Sequence, residues 1–259
     1  MKPEFKKMPV LFIGHGSPMN AIEVNPFSAS LKVLGESFVE KPKAIMVVSA
    51  HWLTRGTYVS TEEKPEIIYD FYGFPQELYQ VKYPAMGAPS IAREVIKLVP
   101  EIKEDNKWGL DHGAWSILKH IFPKADIPVF QLSIDFYQPM QYHFDLAGRL
   151  KQLRERGVLV IGSGNIVHNL ALVFSKEDNS PFEWATEFDE IVRDSINNRD
   201  FNSLVNYEKF GRVANLSIPT VDHYLPLLYA LGMAEADEKI KFTYEEVFTS
   251  LSMRCVKIG

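Results

Sequence analysis

Two periodicities alternate along this chain. Short apolar, β-branched runs ending in Gly or Ser occupy residues 9–13, 44–49, 127–133 and 158–161. Unbroken runs of that kind predict strands buried on both faces. Between them the period lengthens to that of a helix. In 89–99, Ile91, Val95 and Leu98 share a face, and Pro89 suits a first turn. In 143–156, Phe144, Ala147, Leu150 and Leu153 form the stripe and Gly157 suits the C-terminal cap. Further helices are predicted over 114–122, 182–198 and 222–231. Residues 57–70 read as an irregular β excursion, and 252–258 as an added edge strand. Strands alternating with helices predict an α/β protein, a three-layer α/β/α sandwich around a mixed, largely parallel sheet. With no Pro/Gly/Ser-rich linker, residues 1–259 read as a single catalytic domain.

Composition narrows this picture. The 259 residues are 46% hydrophobic and 24% charged, as in an ordinary globular protein. A net charge of −5 leaves no basic footprint for nucleic acid. No apolar stretch approaches the ~20 residues that span a membrane, and the apolar part of the N-terminal segment, Val10 to Ile13, is too short for a signal-peptide core. Cys255 is the single cysteine, so any metal must be held by His, Asp or Glu. The expectation is a cytoplasmic protein, monomeric or a small homo-oligomer.

Histidine placement carries the chemistry. Four of the seven stand where a buried run stops or a helix begins: His15 after VLFIG, His51 after IMVVSA, His168 after VLVIGSGNIV, and His223 at the start of DHYLPLLYALG. Ligands of open α/β sheets bind beyond the carboxyl ends of the strands, and imidazole is the commonest ligand for a catalytic divalent metal. A catalytic site takes about three protein ligands and leaves a position open. The histidines are too far apart in sequence to form a local metal motif, so their convergence depends on the fold.

Each has a structural reading beside the functional one. His15 could be a turn residue between two glycines. His51 could pack on Trp52. The glycine-rich exit before His168 could bind phosphate, although it lacks a P-loop lysine and full GxGxxG spacing. Asp222 could cap a helix that leaves His223 exposed. His112, in GLDHGAW, sits before a helix that Asp111 or Gly113 caps. His120 and His143 read as exposed or packing residues. Ser17, Ser49 and Ser163 lie near these histidines, but none is in GxSxG. The aromatic-rich segment 69–83 reads as a core cap or as the wall of a site for a flat ring.

The ordered set LFIGHGSPMNA, VVSAHW, YDFYGFP, GLDHGAW, GSGNIVHNL and DHYLPLLYALG resembles the class III (LigB-type) extradiol ring-cleavage dioxygenases, and within them the 4,5-DOPA extradiol branch. The resemblance runs from the first strand to the helix after His223. It implies one divalent metal per chain, bound by His15, His51 and His223, with His168 as acid/base and as a fourth ligand in some members, and His112 in the active-site region. The wider family joins two histidines to a glutamate; here the third position is His223, with Asp222 beside it. An all-histidine shell suits zinc, so Zn2+ is expected as found and Fe2+ for turnover. The partners implied are a small catechol such as DOPA, opened to a semialdehyde, and O2. Asn20, Trp52, Trp115, Asn165 and Tyr224 are the expected substrate-pocket residues, from their nearness to the motifs. The competing readings are a zinc hydrolase on the same scaffold and a non-enzymatic, Memo-like binding protein.

Overall fold

The computed structural model describes residues 7–259. The elements run β1 (Val10–Gly14), α1 (Pro26–Glu36), β2 (Ala44–Thr54), β3 (Tyr58–Ser60), α2 (Pro89–Leu98), β4 (Lys103–Asp105), α3 (His112–Ile121), β5 (Val129–Asp135), α4 (Met140–Leu150), β6 (Val158–Gly164), α5 (Glu183–Asn197), α6 (Phe201–Val205), α7 (Arg212–Ser217), α8 (Leu225–Gly232), β7 (Ile240–Tyr244), β8 (Val247–Phe248), β9 (Leu251–Ser252) and β10 (Cys255–Ile258). Among the described residues, eight strands form one sheet in the order β4-β3-β5-β2-β6-β1-β10-β7, and β8 pairs with β9.

The centre of the sheet, β5-β2-β6-β1, is parallel. Antiparallel pairing enters at its flanks, where β10 meets β1 and β3 meets β5. The central strands alternate their side chains between two apolar layers. Val10, Phe12, Met46, Val48 and Val160 face one, built with α2, α4, α5 and α8. Leu11, Ile13, Ile45, Val47 and Ile161 face the other, built with α1, α3 and the 69–85 segment. This two-sided burial explains the unbroken apolar runs of these strands. Truncating a fully buried core residue such as Leu159 to alanine costs about 2–5 kcal/mol.

Two predicted elements differ. The 143–156 stripe breaks after Leu150 into a 3-10 turn, Lys151–Arg156, which Gly157 ends in the left-handed region at φ 85°. The C-terminal strand β10 is not an edge: β7 pairs outside it. No helix among the described residues is long and apolar enough to cross a membrane.

Three local features position the site. β2 runs past Ser49 to Thr54, and its register against β5 slips between Val48 and Leu53. Such bulges bend a strand and re-aim side chains, and His51 lies inside this one. At the end of β6, a Cβ on Gly164 would lie 2.1 Å from the His223 carbonyl oxygen. Glycine therefore lets the His223 backbone close on the strand, where its carbonyl accepts from the Asn165 amide at 2.8 Å. Asp111 caps α3, its carboxylate accepting from the Ala114 amide, from Ser49 Oγ at 2.7 Å and from Gln131 Nε2 at 2.7 Å. That network ties the start of α3, and His112 with it, to β2 and β5.

Candidate metal centre

Beyond the carboxyl ends of β1, β2 and β6 lies a cavity of about 680 Å³ that His15, His51, His112, His168 and His223 all line. The chain brings together the histidines that the strand ends nominated. His120 and His143 lie elsewhere. His120 bonds the Asn20 carbonyl oxygen at 2.7 Å, and His143 is buried against the Tyr229 hydroxyl at 3.0 Å.

Hydrogen bonds assign the tautomers. Ser163 donates its hydroxyl proton to the Gly113 carbonyl at 2.6 Å, so its oxygen must accept from His15 Nδ1 at 3.0 Å. His223 Nδ1 donates to the Asp222 carboxylate. Asp70 serves two rings through one oxygen: His112 Nδ1 at 2.9 Å and His51 Nδ1 at 3.3 Å. Its other oxygen accepts from the His112 amide at 2.9 Å. His15, His112 and His223 thus have Nδ1 hydrogen-bonded to an acceptor, which leaves the Nε2 lone pair of each for the cavity, and the Asp70 carboxylate beside His51 Nδ1 favours the same tautomer there. The Nε2 atoms of His15 and His51 face each other at 3.2 Å. A cation between them would be shared by both lone pairs, and without one a proton on either nitrogen joins the pair.

Ring positions single out one trio of imidazoles. An imidazole bound through Nε2 at about 2.1 Å has its centre roughly 3.2 Å from the ion, and rings at near-tetrahedral angles then lie about 5.2 Å apart. His15–His51, His15–His223 and His51–His223 measure 5.1, 5.2 and 5.0 Å. This nearly equilateral trio could hold one divalent ion. Two different trios, His15–His51–His112 and His168–Asp222–His223, bring one ligand atom each within 4.8 Å of one another, whereas His15, His51 and His223 are related by their ring spacing. In the first, His51 and His112 are 3.9 Å apart between centres, too close for both to aim at one ion at such angles. In the second, His168 stacks parallel on His223 at 3.4 Å, so their lone pairs do not converge, and the Asp222 carboxylate is engaged by His223 Nδ1.

Electrostatics agree with a neutral, ligating set. Burial, then the neighbouring imidazoles, lowers His15 and His51 well below the usual histidine range. Burial and then His223 lower His168 to about 3. Burial opposes ionisation of Asp222, but the hydrogen bond from His223 outweighs it and holds the carboxyl below its usual range.

Of the expected pocket residues, Asn20 lines the cavity, its amide donating to the His15 carbonyl at 3.0 Å. The other four are not among the lining residues. Trp52 stacks on Trp108 at 5.0 Å. Trp115 is fully buried and donates to the Ile68 carbonyl at 3.1 Å. Asn165 braces the Ser252 carbonyl at 2.8 Å. Tyr224 donates to the Leu204 carbonyl at 3.0 Å. These large or amide side chains beside the motifs hold the backbone that carries the histidines. The 69–83 segment plays both of its expected parts: Phe71 and Phe74 line the cavity, while Leu78, Val81 and Tyr83 join the core. Residue-level reading missed Asp70, although YDFYGFP contains it. It also missed the C-terminal wall of Tyr244, Glu246, Phe248, Leu251 and Met253, which only the fold brings back to the site.

A family model described as the catalytic LigB subunit of aromatic ring-opening dioxygenase matches residues 9–254. Similar proteins include the 4,5-DOPA dioxygenase extradiol of Escherichia coli (strain K12), 45% identical over 98% of this chain and 95% of its own length. The Beta vulgaris protein of the same name is 37% identical, over 90% and 89%. Among solved structures, an uncharacterized protein from Escherichia coli K12 is similar with a TM-score of 0.85 at 42% identity, covering 97% of this chain and all of that one.

Proposed function

The chain belongs to the LigB family of aromatic ring-opening dioxygenases, in its 4,5-DOPA extradiol branch, and from that premise we propose a metal-dependent cleavage of small catechols centred on His15, His51 and His223. The observation that carries this reading is the trio of imidazoles at 5.0–5.2 Å, with Nδ1 of His15 and His223 hydrogen-bonded and that of His51 beside the Asp70 carboxylate. The donor set accepts Fe2+ or Zn2+. Bound Fe2+ would supply the redox coupling of catechol to O2, whereas Zn2+ is redox-inert.

The chain's own residues do the rest. Phe71 and Phe74 offer aromatic faces to a flat ring, which enters from the open side of the cavity. His168, which burial and then His223 keep neutral, lines the cavity and is the group offered to a catechol hydroxyl as proton acceptor, a role that needs its basicity raised by the anion it creates. It keeps that proton beside the reacting carbon and oxygen atoms and returns it as the ring opens to a semialdehyde. His112, its orientation set by Asp70 through both ring and backbone, presents Nε2 to the same space as a second hydrogen-bonding group.

The test is anaerobic reconstitution of metal-free protein with Fe2+ and, separately, with Zn2+, followed by catechols and air. Oxygen uptake and a yellow ring-opened product with iron, and neither with zinc, are expected. Turnover of a hydrolysable substrate by the zinc form without oxygen would establish hydrolysis instead. No oxygen uptake by the iron form across a panel of catechols would refute ring cleavage.

A further inference from the structure

The charge lining the cavity is one-sided. Among the described residues no Lys or Arg lines it, while Glu23, Asp70 and Glu246 do. Asp70 is spent on His51 and His112. Glu23 and Glu246 are exposed and line the cavity: Asn25 Nδ2 reaches Glu23 at 3.4 Å, and the Tyr244 hydroxyl donates a short hydrogen bond to Glu246. Beside them stand the rings of Phe27 and Tyr244, edge to face at 5.4 Å, and of Phe248. Carboxylates next to aromatic faces are the surroundings that stabilise an organic ammonium, through ion pairing and through the ring quadrupole. A cleft with one sign of charge also concentrates ligands of the other sign.

Resting on the ring-cleavage reading above, we infer that this cavity selects catechols whose ring substituent carries an ammonium, with Glu246 and Glu23 as the specificity-determining residues, and disfavours catechols whose substituent carries only a carboxylate. A catechol bound through its two oxygens at the histidine trio directs its substituent away from the trio, toward the outer part of the cavity. There a carboxylate meets two like charges and no cation, and an ammonium meets two carboxylates and three rings. Charge pairs at exposed positions are each worth only a few-fold in affinity, so the combined preference is expected to be roughly tenfold.

Three catechols that differ in the charge of one substituent test this: 3,4-dihydroxyphenethylamine, 4-ethylcatechol and 3,4-dihydroxyphenylpropionate. Oxygen uptake by the iron-loaded protein gives kcat/KM for each. Fluorescence titration of the zinc-loaded protein gives Kd for each, independent of turnover. The expected order is amine, neutral, acid in both measurements, with 3,4-dihydroxyphenylalanine between amine and acid and the spread narrowing in high salt. In a Glu23→Gln/Glu246→Gln variant the ratio of amine to neutral catechol is expected to fall toward one. If the neutral catechol is opened while the amine shows no advantage over the acid, or if the double variant keeps the full ratio, the assignment is overturned and ring cleavage stands. If no catechol is opened by the iron-loaded protein, the ring-cleavage reading fails and this assignment with it.

Discussion

Asp70→Asn is the most informative single change, because both oxygens of that carboxylate act as acceptors. Oδ1 receives the His112 amide at 2.9 Å, and Oδ2 receives His112 Nδ1 at 2.9 Å and lies 3.3 Å from His51 Nδ1. An asparagine has one oxygen to offer. In either flip its NH2 group points at an N–H donor, so the variant loses an acceptor and gains a repulsion. Hydrogen bonds to a charged group contribute about 1.5–3 kcal/mol, and the side chain's 21% exposure places the effect toward the lower end. Partners that orient a ligating histidine typically change metal affinity or activity by about 10–100-fold, which equals roughly 1.4–2.7 kcal/mol. The expected outcome is a metal Kd weakened by at least about tenfold, beside a loss of about 1.5 kcal/mol in the stability of the metal-free protein. Competition against a chromophoric chelator under anaerobic conditions measures it. The Nδ1/Nε2 tautomer balance of His51, read from ring ¹⁵N shifts, should move at the same time. A Kd within twofold of the parent and an unchanged tautomer would refute the argument that Asp70 presents Nε2 of His51 to the ion.

Three further outcomes are expected. His168→Ala retains the metal and loses turnover, whereas His15→Ala loses both; metal analysis beside oxygen uptake distinguishes them, and loss of metal from His168→Ala would move that residue into the ligand set. Stability of the metal-free protein should fall as pH drops from about 6.5 toward 4: burial first, opposed only partly by the Gln138 carbonyl, lowers His143 to about 4, so below 6.5 the unfolded chain binds the extra proton. Thermal denaturation at pH 7.5 and pH 5 should show the drop, and His143→Gln should make it shallower; a slope that is unchanged or reversed counts against it. Gly164→Ala forces a methyl to 2.1 Å from the His223 carbonyl oxygen and should cost about 1–3 kcal/mol in denaturant unfolding, with weakened metal binding, whereas equal stability would show that the β6 exit is not closely packed.

How far the sequence disclosed this molecule depends on the range over which each residue acts. The central strands were legible because burial on both faces leaves an unbroken apolar run, as in the fully buried VLFIG of β1. α1 was not read, although its marks are local: Asn25 and Ser28 form a capping box, and Phe27, Leu31 and Leu34 face the core. Gly35, which reads as a helix breaker, is there so that α1 can approach the Ile121 carbonyl of α3; a Cβ on it would lie 2.0 Å from that oxygen. β7 was missed because an edge strand of five residues with half-buried positions has little contrast with a loop.

The site divides in the same way. Histidines at strand exits could be nominated from position, because the carboxyl end of a parallel sheet collects whatever follows each strand. Their roles could not, because they depend on acceptors far away in the chain: Ser163 for His15 and Asp70 for His51. Even the three-residue excess on β2 that turns His51 inward is a property of pairing with β5, not of SAHW itself. Trp52 and Tyr224 stand next to His51 and His223 in sequence but outside the cavity lining, as neighbours on a strand or turn point to opposite sides, and Trp115 and Asn165 lie outside the lining as well. Part of the cavity lining comes instead from 244–253, at the other end of the chain. The histidines of the cavity are therefore written in the motifs, and much of the lining around them is written in the fold.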